Sequence, residues 1–258
     1  MISLAAEPLF RLGPFVITNG VLGAFTITGT MTVLALLMRL NISLIPGRVQ
    51  AGLEMLVNFV LELLERSFGS REAARTFFPF LMTVLLFIVV ANQFSVVPFV
   101  SQLVAGEKPL LRLPTADLSQ TLLLALFVIG LSHVLALRMS PLKHIGAFIK
   151  LKPFLNIRRV RDIPQALLDF FLGLLDIVGE LAKVISLACR LFGNIFAGEV
   201  MVAVIAGLTT LTAFVVPIPF MVLSIFSGFI QAFVFLLLST QFIAGTYKSY
   251  YVESPTSH

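Results

Sequence analysis

From Pro164 to Leu208 the chain runs about 45 residues with no further proline, mostly apolar, yet carrying Asp169, Asp176, Glu180, Lys183, Arg190 and Glu199. At 1.5 Å of rise per residue, a continuous helix of that length reaches about 67 Å, more than twice the roughly 30 Å hydrocarbon core of a bilayer. Such a helix cannot stand upright in a membrane. It must tilt steeply, run partly along the surface, or break. Gly173, Gly179, Gly193 and Gly198 permit bends without requiring them.

The rest of the chain points to lipid as its solvent. Of 258 residues, 58% are hydrophobic and only 12% charged, against about a quarter charged in soluble domains. The net charge of +5 does not indicate nucleic acid, because the basic residues lie between apolar runs and not on a soluble face that also bears aromatics. The single cysteine, Cys189, excludes an internal disulfide framework, and the scattered His133, His144 and His258 resemble no metal site. No metal or cofactor is expected. Met1–Pro8 has no basic stretch leading into an apolar core, so no cleavable signal peptide is expected.

These features predict an all-α polytopic membrane protein, one integral domain over 1–258, with five membrane-crossing helices and one amphipathic membrane-associated helix. The crossings are placed at 17–38, 76–98, 115–137, 164–208 and 219–247, the last two forming a long tilted C-terminal hairpin. After Pro46-Gly47, residues 48–70 bring Leu53, Leu56, Val57, Val60, Leu61 and Leu64 to one helical face, with Glu54, Glu62, Glu65 and Arg66 between them. That segment suits the membrane surface or a groove against a neighbouring helix. Asn92, Gln93 and Ser95 need partners away from lipid, and Asp117 can cap the third crossing or bind a neighbour. Basic residues gather in 39–76, 138–163 and 247–258, which places the N terminus outside and the C terminus in the cytoplasm.

Arg190 is the costliest group in the long helix. Its guanidinium does not deprotonate in proteins, and at mid-membrane depth it costs at least about 2.5 kcal/mol. Asp169, Asp176, Lys183 and Arg190 recur every seven residues and form one polar stripe, which Glu180 and Asn194 extend at contact spacing. Glu199 is turned about 180° from Arg190 and stands about 13.5 Å further along the axis, so the two suit separate aqueous approaches better than a salt bridge. Gln231 comes level with Arg190 if the hairpin turns near residues 210–211; a turn at Pro217 brings Gln241 closer instead.

The run Ser186-Leu-Ala-Cys-Arg-Leu-Phe-Gly-Asn-Ile-Phe-Ala-Gly-Glu199 closely resembles the signature of subunit a of the F-type ATP synthase. Pro114-Thr-Ala-Asp-Leu-Ser119, Gln231-Ala-Phe-Val-Phe and the Pro46-Gly47 connection resemble that family too. The resemblance implies the static half of a rotary proton motor, set beside a ring of small subunits that each carry a membrane carboxylate. Peripheral-stalk subunits, the remainder of the synthase and membrane lipids are the other implied partners. Arg190 matches the arginine that faces the ring carboxylate and keeps two offset half-channels apart. Asn194, Glu199, Gln231 and Asn92 match polar positions near the arginine or along a half-channel, and Asp176, Glu180 and Lys183 would border the cytoplasmic approach. Some relatives have histidine where Ser224 stands and an acidic group where Ser95 stands. A hydroxyl can hold water but lacks imidazole's near-neutral titration. The translocated ion is expected to be H⁺, since no cluster of sodium-coordinating oxygens is evident.

A secondary transporter or ion channel with Arg190 and Glu199 in its path is the rival reading. Such transporters often show corresponding broken helices in two halves, and this chain shows no clear internal duplication. A membrane enzyme is disfavoured because no compact nucleophile and base arrangement is present.

Overall fold

The computed structural model describes residues 8–12, 15–94, 104–105, 108–109, 113–141, 144, 146, 163–208 and 216–249. Its framework is helical: α1 (Asn19–Leu40), α2 (Arg48–Phe68), α3 (Arg71–Phe94), α4 (Leu118–Met139), α5 (Ile163–Leu208) and α6 (Pro217–Tyr247). Four of these, α1, α3, α4 and α6, are long and apolar enough to cross a membrane, as befits an integral membrane protein. Helix α5 continues unbroken over 46 residues, so its glycines do not interrupt it.

Two small antiparallel hairpins accompany the helices. β1 (Pro8–Leu12) pairs with β2 (Phe15–Thr18), and β3 (Val104–Ala105) pairs with β4 (Lys108–Pro109). A helix-only reading misses them because each strand has at most five residues, too short for a periodic signal. The punctuation is nevertheless present in Gly13-Pro14 and Gly106-Glu107.

Helix α6 lies at the centre, in contact with α2, α3, α4 and α5. Its Ala232, Phe235, Leu236, Ile243 and Ala244 are buried against Leu81, Leu85 and Ile88 of α3, Val128 and Ile129 of α4, and Leu187, Ala188 and Leu191 of α5 within one core. Small residues on α6 let its neighbours approach closely, as suits helices that associate in lipid by packing alone. Helix α2 buries Val60, Leu64 and Phe68, a four-residue spacing that makes one stripe, and packs on α3 and α6. Its charges lie outside that stripe, with Arg66 paired to Glu62 at 3.9 Å. Gly69 ends α2 at φ 71°, and its N–H donates to Glu65 O; a side chain there would be strained. From α2, Glu65 also reaches across to Arg71 of α3 at 3.2 Å.

Helix α1 is peripheral and buries only Asn19, Gly20, Gly23 and Ile27. Its Thr26, Thr28, Thr30 and Thr32 hydroxyls each donate to the carbonyl four residues earlier, which satisfies them without water. Asp117 both caps and docks. Its Oδ1 accepts from Ser119 N at 3.0 Å at the start of α4, and a Cβ on Gly20 of α1 would sit 2.9 Å from its Oδ2.

Candidate functional site at the α5–α6 seam

Helix α5 is held to the bundle by Val184, Leu187, Ala188, Leu191 and Ile195, all buried. At 100° per residue these cluster on one side, and Arg190 lies roughly a third of a turn away from them. Arg190 is exposed, as are Ser186, Cys189 and Ala197 on the same outer side. Asp176 is exposed, while Asp169, Glu180, Lys183, Asn194 and Glu199 are half-buried. The polar stripe therefore follows the border between the packed and outer faces of α5. Among the described residues, no carboxylate or hydrogen-bond acceptor pairs with Arg190.

Two contacts set the alignment of α5 on α6. Asn194 Nδ2 donates to Ser227 O at 3.2 Å, and Ser227 Oγ donates back to Asn194 Oδ1. One turn on, a Cβ added to Gly198 would lie 3.0 Å from Ser224 Oγ, so the missing side chain lets α6 approach. Extending this antiparallel alignment by one turn in the other direction brings Arg190 level with Gln231, leaving Gln241 far off. Gln231 is buried, and its Nε2 has no hydrogen-bond partner among the described residues. An unsatisfied buried amide costs about 1–3 kcal/mol.

Helix α3 reaches the same two turns of α6 with side chains of its own. Asn92 Nδ2 donates to Gly228 O at 3.0 Å and Gln93 Nε2 to Ile225 O at 3.3 Å. Each carbonyl has a second lone pair to offer beyond its helical bond. Residues 224–231 of α6 thus collect Asn92, Asn194, Ser224 and Gln231 into one polar seam. Glu199 stands on the far side of α5 from Arg190. Ser95, Pro98 and the basic residues Lys143, Lys150, Lys152, Arg158, Arg159 and Arg161 lie outside the described residues.

Toward the start of α5, Lys183 Nζ donates to Glu180 Oε1 at 2.6 Å and sits 5.4 Å from the Phe242 ring centroid. Glu180 Oε2 lies 3.6 Å from His133 Nε2, and His133 Nδ1 is 3.2 Å from His144 Nε2. Two histidines that look scattered in the sequence are therefore neighbours. Sequence reasoning missed them, and also Ser227, because each contact depends on how the chain reverses between helices.

The family model for the ATP synthase A chain matches residues 21–244. The chain belongs to the ATP synthase A chain family. It is 34% identical over 222 residues to ATP synthase subunit a of Desulfosudis oleivorans, covering 84% of this chain and 85% of the relative. It is 32% identical over 222 residues to ATP synthase subunit a 1 of Syntrophotalea carbinolica, covering 86% and 82%. With ATP synthase subunit a of Geotalea daltonii, the identity is 31% over 241 residues, covering 91% and 92%. For this member of the ATP synthase A chain family, the matched span takes in α2 to α5 whole and most of α1 and α6, and so the entire polar seam.

Proposed function

We propose that this chain is the static ion-translocating subunit of the rotary ATP synthase membrane motor, forming two offset half-channels that pass protons to and from ring carboxylates. The observation that carries the reading is Arg190: a permanent charge on the outer face of α5, with no partner among the described residues, level with Gln231. A carboxylate from outside the chain supplies the missing partner. When it is deprotonated it pairs with the guanidinium, and a protonated carboxyl passes into lipid beside it. Arginine cannot relay a proton by titrating, so Arg190 separates the two paths.

In this reading α5 is the fifth crossing and lies steeply tilted, since its 46 residues span about 69 Å. The N terminus is outside and the C terminus cytoplasmic. Asn92, Asn194, Ser224, Gln231 and Glu199 line the outer half-channel, to which Ser95 is assigned by sequence alone, Ser224 holding water where a titrating group is absent. Asp176, Glu180 and Lys183 border the cytoplasmic half. The partners are the ring of small carboxylate-bearing subunits, the peripheral stalk, the rest of the synthase and membrane lipids, and the ion is H⁺.

Position tests the reading directly. In a structure of the intact complex, Arg190 should lie within salt-bridge reach of a ring carboxylate, and a ring seated against any other face overturns the assignment. Glu199→Gln keeps the shape and removes the titrating group. Positioned proton-transfer groups contribute about a hundredfold or more, so proton flux should fall by about a hundredfold in an assembled complex. Unchanged flux across a broad pH range would remove Glu199 from the path.

A further inference from the structure

We propose that His144, His133 and Glu180 form a proton wire that runs from beyond the end of α4 to the polar stripe leading to Arg190. This rests on the function proposed above and adds a histidine-dependent entry to it. His133 lies in α4 six residues before its end, and His144 follows the break at Ser140, where His144 N donates to Ser140 O at 3.0 Å. The two rings are 5.3 Å apart between centroids. His133 uses its two nitrogens in opposite directions, Nδ1 toward His144 and Nε2 toward Glu180 of α5. A metal site needs its donors to converge on one point, and this linear order suits transfer through the ring. Lys183, bonded to Glu180, stands one heptad before Arg190, about 10.5 Å along the helix on the same stripe.

The transfer balances. His144 gains a proton on Nδ1 and gives the one on Nε2 to His133 Nδ1; His133 then gives its Nε2 proton to Glu180 Oε2. The proton that His144 takes up comes from hydronium and leaves water. Each transfer breaks one O–H or N–H bond and makes one N–H or O–H bond, and both rings, left as the opposite tautomer, flip before the next proton enters. Imidazole can take a proton on one ring nitrogen and release one from the other. Burial first, and then the adjacent His133, hold His144 below the usual imidazole value, while Glu180 acts in the opposite direction. The groups facing the pair from α5 are Glu180, with Lys183 and Asp176 within a turn of it. Arg138 of α4 is turned about 140° away from His133. Helix α6 contains no Asp, Glu, Lys, Arg or His and presents the Phe242 ring to Lys183.

The test is ATP-driven proton uptake by the intact complex in inverted membrane vesicles, whose outer face is cytoplasmic, measured against outer pH. His133→Gln, His144→Gln and Glu180→Gln should each lower uptake about tenfold at neutral pH and erase the imidazole step from the profile. Millimolar imidazole added outside should restore uptake in His144→Gln, which a packing defect would not allow. His144→Gln, beyond the end of α4, carries the test if His133→Gln fails to assemble. Profiles of assembled variants that superimpose on wild type overturn the wire. If they do so while Arg190→Ala abolishes coupled transport, the wire alone fails; coupled transport surviving in Arg190→Ala removes the underlying function as well.

Discussion

Arg190→Ala should leave the complex assembled and abolish ATP synthesis driven by a proton gradient, a loss of at least about a hundredfold, the scale of removing one fixed electrostatic contact from a reacting site. Assembly is expected to survive because the guanidinium has no ion pair or hydrogen bond with the described residues, and alanine is the best helix former. The neighbouring Leu187, Ala188 and Leu191, which seat α5 in the core, are untouched. On the proposed function, removing the charge joins the two approaches, so passive proton leak should rise as synthesis disappears. Arg190→Lys keeps the charge but loses the planar fork and can shift its proton affinity when buried, and should fall between the two. The measurement is gradient-driven synthesis in vesicles, normalised to the amount of assembled complex. Wild-type synthesis in a verified assembled Arg190→Ala complex would sink the proposed role.

Gly228→Leu should prevent a folded complex from accumulating, and Gly228→Ala should lower the apparent Tm by about 5–10 °C. A Cβ on Gly228 would lie 3.0 Å from Asn92 Cβ and 3.4 Å from Gln93 Nε2. Neither neighbour gives way freely, because the same two side chains donate to Gly228 O and Ile225 O. Overpacking of this kind costs about 1–3 kcal/mol for the smallest insertion, and each kcal/mol moves the Tm of a chain this size by about 2–4 °C. Gly130→Ala is the control, since a Cβ there meets nothing within 4 Å. Thermal unfolding of the purified complex in detergent reads both. A Gly228→Ala complex that melts with wild type would mean that α3 and α6 do not pack this closely.

The elements legible in the sequence were those whose signal is local. The length of α5 follows from its missing prolines, and the burial of Val60 and Leu64 on α2 from their spacing. Asp117 could be read as a cap from its own neighbourhood, but its approach to Gly20 could not, because that joins segments nearly a hundred residues apart. The same limit hid Ser227. Asn194 announces a polar need, yet its partner depends on the turn between α5 and α6, whose position apolar residues on both sides leave undetermined. His133 and His144 meet across the break that ends α4 at Ser140, which no local pattern announces. The strands Pro8–Leu12 and Phe15–Thr18 were too short to stand out from an apolar approach to the first crossing.

The seam on α6 also has a mechanical side. Asn194 of α5 holds it at Ser227, and Asn92 and Gln93 of α3 hold it at Gly228 and Ile225, so successive backbone groups of one helix are gripped from two directions within about one turn. Sliding or twisting α6 by a single residue would release both grips together. A sideways load applied to the outer face of α5 is therefore passed through α6 to α3 and α2 as strain shared among several helices. On the function proposed above, that is the stiffness a stationary part needs when its neighbour turns against it.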